Sequence, residues 1–351
     1  MNTNKISFIK GINPLRCIAA FGIILYHSSI GLTDKFPDFL KLLLKNLPVC
    51  VDFFFIISGF LIVYLLLNEK ERKGNISVKN FYVRRALRIL PLYYLILGVA
   101  IILGYKYNVV GYILFLGNFS MIDAAAWPNP IITPLWSINV EEHFYLFIPL
   151  AIALLSHRKL ICFLIAVILS SIVLRYWAFQ FGDQSWYFFY CHSLSRFDVI
   201  SIGCLIGLIH HKVNIELYLN KLVLPVVLLV LCLVLGTVDI SFYDGLFDAT
   251  FKKYLAILLI AFLFILIVFN KNEGLFIKQI KGNRVLNYIG KISFGLYMYH
   301  MVIIELIAKI DVLEDLHLVK IPLVFICTII LSILSFELFE KQLLKFKKGF
   351  Q

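Results

Sequence analysis

The chain has 351 residues, 61% hydrophobic and 15% aromatic, with a formal net charge of +12. A mean hydropathy of +0.90 cannot be hidden in one soluble core of this length, so the composition excludes a soluble globular protein and points to a polytopic membrane protein. The basic excess argues against nucleic acid as a partner: the lysines and arginines are divided among short segments between apolar runs, where membrane lipid head groups are their default partners.

Apolar stretches near the ~20 residues that span hydrocarbon run over 14–30, 48–67, 89–107, 137–156, 160–179, 197–209, 222–238, 254–270, 286–307 and 321–338. The piece 108–122 is too short and too interrupted by Gly to span, and the Trp/Pro-rich AAAWPNPIITPLW follows it. The segment 108–135 is therefore read as a short re-entrant or half-helical element. With ten spans and an inside N-terminus, 23 of the 33 lysines and arginines fall on the cytoplasmic side, as the positive-inside rule requires. An eleventh span would put the clusters 271–291 and 341–348 outside. The expected fold is thus an all-α helical bundle in one domain, 1–351, with about ten transmembrane helices and both termini cytoplasmic. The first apolar stretch is span-length, so it is not read as a cleavable signal. No separate soluble domain is expected. Seven cysteines without a C-x-x-C pair read as buried thiols, with Cys191 in a loop and without a role.

Ionisable residues inside spans are costly and mark function. Arg16 and His27 are eleven residues apart, which places both on one helical stripe roughly 16 Å apart along the axis. By residue count, His27 lies about 20 Å above the start of its span, Asp52 and Glu141 each roughly 6 Å below the opposite edge, and His300 about 21 Å up. These four groups are expected at one level in the outer half, paired with one another or facing water. Asp52 could also be a plain helix-start residue, and His300 a helix-bridging one. Glu141 and Glu142 cannot share a face; Ser137, Glu141 and Tyr145 form a polar ridge at i, i+4, i+8, which favours Glu141. Ser293, Tyr297 and His300 form a second ridge. Arg84 and Arg88 are one helical turn apart with Arg85 beside them, at the membrane edge where Arg16 begins its stripe. Such guanidinium groups suit phosphate oxygens, and coenzyme A has the matching shape; without Arg16 they would read as membrane anchors. No His/Asp/Glu spacing suggests a metal site.

These residues are carried by segments that together resemble the acyltransferase-3 family of integral membrane acyltransferases. They are the Arg16 to His27 pattern, VDFFFIISGFL at 51–61, RRALRILPLYY at 84–94, WSINVEEHFYLFIP at 136–149, RFDVISIGCLIG at 196–207 and IGKISFGLYMYHMV at 289–302. The resemblance runs nearly end to end. It implies an essential His27, a cytoplasmic acyl-CoA donor as co-substrate with no tightly bound cofactor, and an acceptor hydroxyl on the far side of the plasma (inner) membrane. It also makes Arg196 and Asp198 of the fifth segment cavity candidates. The chain departs from the pattern at His143, where the family has Gln, and after His300, where a Pro is missing. The closing element is reduced to Glu340, Lys341 and Gln342. The chain is expected to lack the extra soluble domain some members carry, in which case a second transfer step would need another protein.

The expected function is O-acyl transfer, most simply of acetyl, from a thioester to a saccharide hydroxyl. His27 would be the base and Asp52 or Glu141 would orient its imidazole. An acyl-enzyme remains open, as do the acceptor, the acyl chain and the oligomeric state. A proton-coupled transporter would also gather His, Asp and Glu at one depth but would often show inverted repeats, which are not visible here. A non-catalytic partner in polysaccharide assembly could lose the His/Arg set, which is intact.

Overall fold

The structure is a computed structural model in which residues 9–32, 36–182, 185–240, 252–272, 274–310 and 317–350 are described. Among them the regular structure is helical, apart from one isolated bridge between Leu217 and Asn270. Helix α1 (Ile12–Ser29) starts after Gly11, whose φ of 101° is left-handed. Next come α2 (Asp38–Lys45) and α3 (Val49–Lys73), the latter ended by Gly74 at φ 78°, a C-terminal stop that glycine supplies without strain. Helix α4 (Val78–Ile102) is capped by the Ser77 hydroxyl, which accepts from the Asn80 N–H.

The chain continues through α5 (Val109–Ile113), α6 (Gly117–Ala124), α7 (Leu135–Leu154), α8 (His157–Phe181), α9 (Trp186–Cys191), α10 (Ser193–Val213), α11 (Val223–Thr237) and α12 (Lys253–Phe269). It closes with α13 (Leu275–Gly282), α14 (Arg284–Lys291), α15 (Ser293–Ala308), α16 (His317–Ser335) and, after a π-turn, α17 (Lys341–Lys345).

Every apolar stretch read from the sequence contains the body of a helix. Among the described residues five helical segments are long and apolar enough to cross a membrane: Asp38–Lys73, Val78–Ile102, His157–Phe181, Trp186–Val213 and Val319–Lys345. The stretch 286–307 is not one rod, because α14 and α15 meet at 70°. The break lies between Lys291, which is exposed, and Ser293, which is buried. Gly290 allows α14 to lie on the start of α1, since a Cβ there would strike the Asn13 backbone. The segment 108–135 forms α5, α6 and a 3-10 turn. The Tyr93 hydroxyl ties it down by donating to the Tyr112 carbonyl at 2.8 Å. Cys191, expected in a loop, closes α9 and is buried.

Helices α3 and α10 form the centre: 67% and 72% of their apolar windows are inside the protein, against 22% for α8 and α16, which face outward. Glycine sets the approach. A Cβ at Gly59 would strike the Ile200 carbonyl, and one at Gly203 the Ile56 carbonyl. Gly203→Val should therefore force α3 and α10 apart and cost ~3 kcal/mol, at the upper end of overpacking penalties. Gly98→Ala, with nothing within 4 Å of the new methyl, should be neutral. Thermal melting of the detergent-solubilised protein reads both.

Candidate active site

Helix α3 spans about 37 Å at 1.5 Å per residue, and three cavities lie along it. At its N-terminal end is a chamber of about 240 Å³ that includes His27, Asp52, Arg196, Lys253, Tyr297 and a wall of Trp127, Trp136, Trp186 and Tyr190. The lining comes from the last turns of α1, the first turns of α3, α7, α10 and α12, the segment before α7, and α9 and α15. His27 stands 5.1 Å, ring centre to ring centre, from His300. The buried His300 has Nδ1 2.6 Å from the Tyr297 carbonyl. A carbonyl only accepts, so Nδ1 carries the hydrogen and Nε2 is left as an acceptor. Nε2 has no hydrogen-bond partner among the described residues.

Asp52 was expected to orient His27. It lines the same chamber, but its Oδ1 lies 2.7 Å from the Arg196 guanidinium, and no hydrogen bond joins it to His27 among the described residues. Arg196 is fully buried and also stacks over Trp136 and Tyr190, at 5.5 and 5.0 Å from their ring centres. Desolvation explains this: a buried carboxylate takes the nearest fixed cation.

The middle cavity, about 110 Å³, is lined by Arg16, Ser58, Arg85, Arg88, Ser137, Glu141, Ser293 and Tyr297 among apolar side chains. Glu141 accepts from the Tyr145 hydroxyl at 2.8 Å, and that hydroxyl contacts Ser58. Glu141 thus faces a cavity, as its ridge predicts, while Glu142 lines none of the three. The cavity is not the one that holds His27. Between the two stands Tyr297, whose hydroxyl is 2.7 Å from Ser137 and 3.1 Å from the Pro134 carbonyl. One further turn of α7 carries Glu141 past this pair, so the single level expected for His27, Asp52, Glu141 and His300 divides in two. The Ser293 hydroxyl has no hydrogen-bond partner.

The third cavity, about 670 Å³, lies where α3 ends and α4 begins and is lined by Glu69, Arg72, Lys73, Arg84, Arg85, Arg88 and Lys347. Arg84 is committed: it pairs with Glu69 and donates to the Phe350 carbonyl, each at 2.7 Å. Arg85 lies 4.9 Å from the Tyr145 ring centre. Arg85 and Arg88 line both this cavity and the middle one, as Tyr297 and Val51 line both the middle one and the His27 chamber. The three form a series. Burial, then the charges of Arg88, Arg85 and Arg84, push the Lys347 amine down to about 7. A basic pocket that discourages its own lysine from charging is a pocket for anions.

Asp198 lines none of these cavities. It accepts from Arg175 and Tyr254 at 2.6 Å each and ties α8, α10 and α12 together. No cluster of three metal-ligating side chains occurs among the described residues. Sequence reasoning missed Lys253, Lys347 and the aromatic wall. Lys253 and Lys347 sit in basic segments that read as ordinary loop charge, and the wall's one signal was the Trp/Pro-rich loop.

The family model described as an acyltransferase domain matches residues 9–337. The chain is 28% identical over 336 residues to "Putative O-acetyltransferase SACOL0978" of Staphylococcus aureus (strain COL), covering 86% of this chain and 52% of that protein. It is 28% identical over 375 residues to "O-acetyltransferase OatA" of Staphylococcus aureus (strain NCTC 8325 / PS 47), covering 98% of this chain and 58% of the relative. The chain spans about half the length of the curated relatives it matches. No solved structure matches it significantly. A family match over almost the whole helical bundle, with a His chamber and an arginine cavity at its two ends, means that this chain belongs to the acyltransferase-3 family.

Proposed function

We propose that the protein transfers an acyl group, most simply acetyl, from acyl-CoA held in the arginine cavity to a hydroxyl of a saccharide held in the His27 chamber. The observation that carries this reading is the series of three cavities, which offers phosphate-binding cations at one end and a base at the other. The middle cavity, where Arg16, Arg85, Arg88, Glu141 and the hydroxyls of Ser58, Ser137, Ser293 and Tyr297 stand among apolar side chains, would take the pantetheine arm. The stripe from Arg16 to His27, roughly 16 Å, matches that arm in length. The aromatic wall offers flat faces for a sugar ring, as cavities with few polar groups commonly do.

In the reaction His27 takes the proton of the acceptor hydroxyl as its oxygen attacks the thioester carbonyl. The tetrahedral oxyanion then collapses and the carbon–sulfur bond breaks. The coenzyme A thiolate leaves and collects the proton from the His27 imidazolium, giving ester and thiol. His300, whose ring centre lies 5.1 Å from that of His27 and whose Nε2 is an acceptor without a partner among the described residues, is assigned the orienting role expected of Asp52 or Glu141. The hydroxyls of Tyr297 and Ser137 stand where the thioester would pass.

The arginine cavity lies at the end of the bundle that carries the basic clusters 68–88 and 341–348, so we assign it to the cytoplasmic face of the plasma membrane. Purified protein in sealed vesicles should consume acetyl-CoA supplied on that face and acetylate a saccharide present on the opposite face alone. Transfer that needs both substrates on one face would defeat the trans-membrane reading.

The donor assignment has its own test. Arg88→Ala should weaken coenzyme A binding by roughly ten- to a hundredfold, the loss of a charge-assisted phosphate contact. Phosphates favour the charged form of Lys347, which unliganded holds its proton below about 7. Affinity is therefore greatest at or below that pH and falls as pH rises above it, and Lys347→Met should flatten the slope. Titration calorimetry measures both; unchanged affinity returns these residues to membrane anchoring.

A further inference from the structure

Lys253 has no place in the reaction above. It is 5% exposed, lines the His27 chamber and has an Nζ without a hydrogen-bond partner among the described residues. A buried ammonium left unpaired is expensive. Among the described residues the charges that act on it most strongly are Arg196, Asp52, Asp198 and Arg175, two of each sign, which leave the lysine as the net charge of that group. Among the described residues no ion pair joins it to either carboxylate, and both have other partners. Asp52 is in contact with Arg196 at 2.7 Å. Asp198 Oδ2 accepts from Arg175 and Tyr254, and its Oδ1 from the Val199 N–H at 2.8 Å.

We propose that Lys253 is the recognition point for an acidic group, a carboxylate or a phosphate, on the saccharide that occupies the His27 chamber. This rests on the reading of that chamber as the acceptor site. The ammonium holds the acid while the aromatic wall holds the sugar face, and the hydroxyl to be acylated is presented to His27. An acidic sugar then completes the charge balance of the chamber, and a neutral one leaves the ammonium unpaired. The chamber thereby discriminates among acceptors as a site built for a polar contact does, by penalising its absence.

Three of the four tryptophans, Trp127, Trp136 and Trp186, line this chamber, so intrinsic fluorescence of the detergent-solubilised full chain reports its occupancy without any donor. Methyl glucuronide, glucose 6-phosphate and methyl glucoside are the probes. At least one acidic sugar should bind roughly tenfold or more tightly than the neutral one, the gain of a charge-assisted contact. Which acid binds better names carboxylate or phosphate. The preference should vanish in Lys253→Met and survive in Lys253→Arg, and Lys253→Gln replaces the Met variant if that one does not fold. Equal or undetectable binding of acidic and neutral sugars, or a preference that persists without the charge, overturns the proposal. Because no acyl donor is present, that failure leaves the transfer reaction standing. Failed transfer in sealed vesicles, with the sugar preference intact, removes the reaction and keeps the acid site.

Discussion

His27→Ala is expected to reduce acyl transfer by roughly a hundred- to ten-thousandfold, the range lost with a general base, while membrane insertion, abundance and melting temperature stay at wild-type values. The chamber explains the separation. His27 is only half-buried and, among the described residues, holds no hydrogen bond that knits helices together, so its removal leaves the packing intact. His300 is different. It is fully buried and bonded to the Tyr297 carbonyl, and it acts on the reaction through His27. His300→Gln, which keeps an acceptor, should lower kcat less than His27→Ala, leave KM for both substrates near wild type and shift the pH–rate profile. A purely structural His300 would lower the yield of folded protein and leave that profile unmoved. Retained transfer by His27→Ala at normal expression would remove the base from the mechanism.

Periodicity and spacing carry far in this chain wherever one helix decides the matter. Ten apolar runs become helix bodies because length and hydropathy are local properties. The choice of Glu141 over Glu142 as the residue facing a cavity follows from a ridge on α7 alone, and the Arg84–Arg88 pair reaches one cavity because both belong to α4. What fails to carry is distance across helices. Depth counted in residues puts His27, Asp52, Glu141 and His300 on one level. It cannot see that Tyr297, coming from α15, closes on Ser137 between two of them. The bend at Ile292 is equally hidden, because it answers to Gly290 lying against the Asn13 backbone far away in sequence. Lys253 reads as loop charge beside an apolar run, and Lys347 as one of several tail lysines. Only packing shows that the first is buried without a partner and that the second lies among three arginines.

The contact between Asp52 and Arg196 supplies the second large effect, and it separates holding from catalysing. Both side chains are nearly inaccessible and 2.7 Å apart, so Arg196→Met should leave a buried carboxylate uncompensated and cost about 3 to 5 kcal/mol of stability. Asp52→Asn should do comparable damage by removing the carboxylate that faces the buried guanidinium, which lies against the rings of Phe55, Trp136 and Tyr190. The double variant Asp52→Leu with Arg196→Met removes both charges and should recover most of the loss, because an apolar pair of similar volume carries no desolvation penalty. With wild type and Asp52→Leu alone, the melting temperatures of Arg196→Met and of the double variant close a double-mutant cycle whose coupling measures the pair. The rescued variant then answers the chemical question. If Asp52 orients His27, transfer stays low at restored stability. If its work is to hold Arg196 under the aromatic wall, turnover returns with folding, and a shortfall confined to KM for the acceptor assigns the remaining role to the chamber's shape.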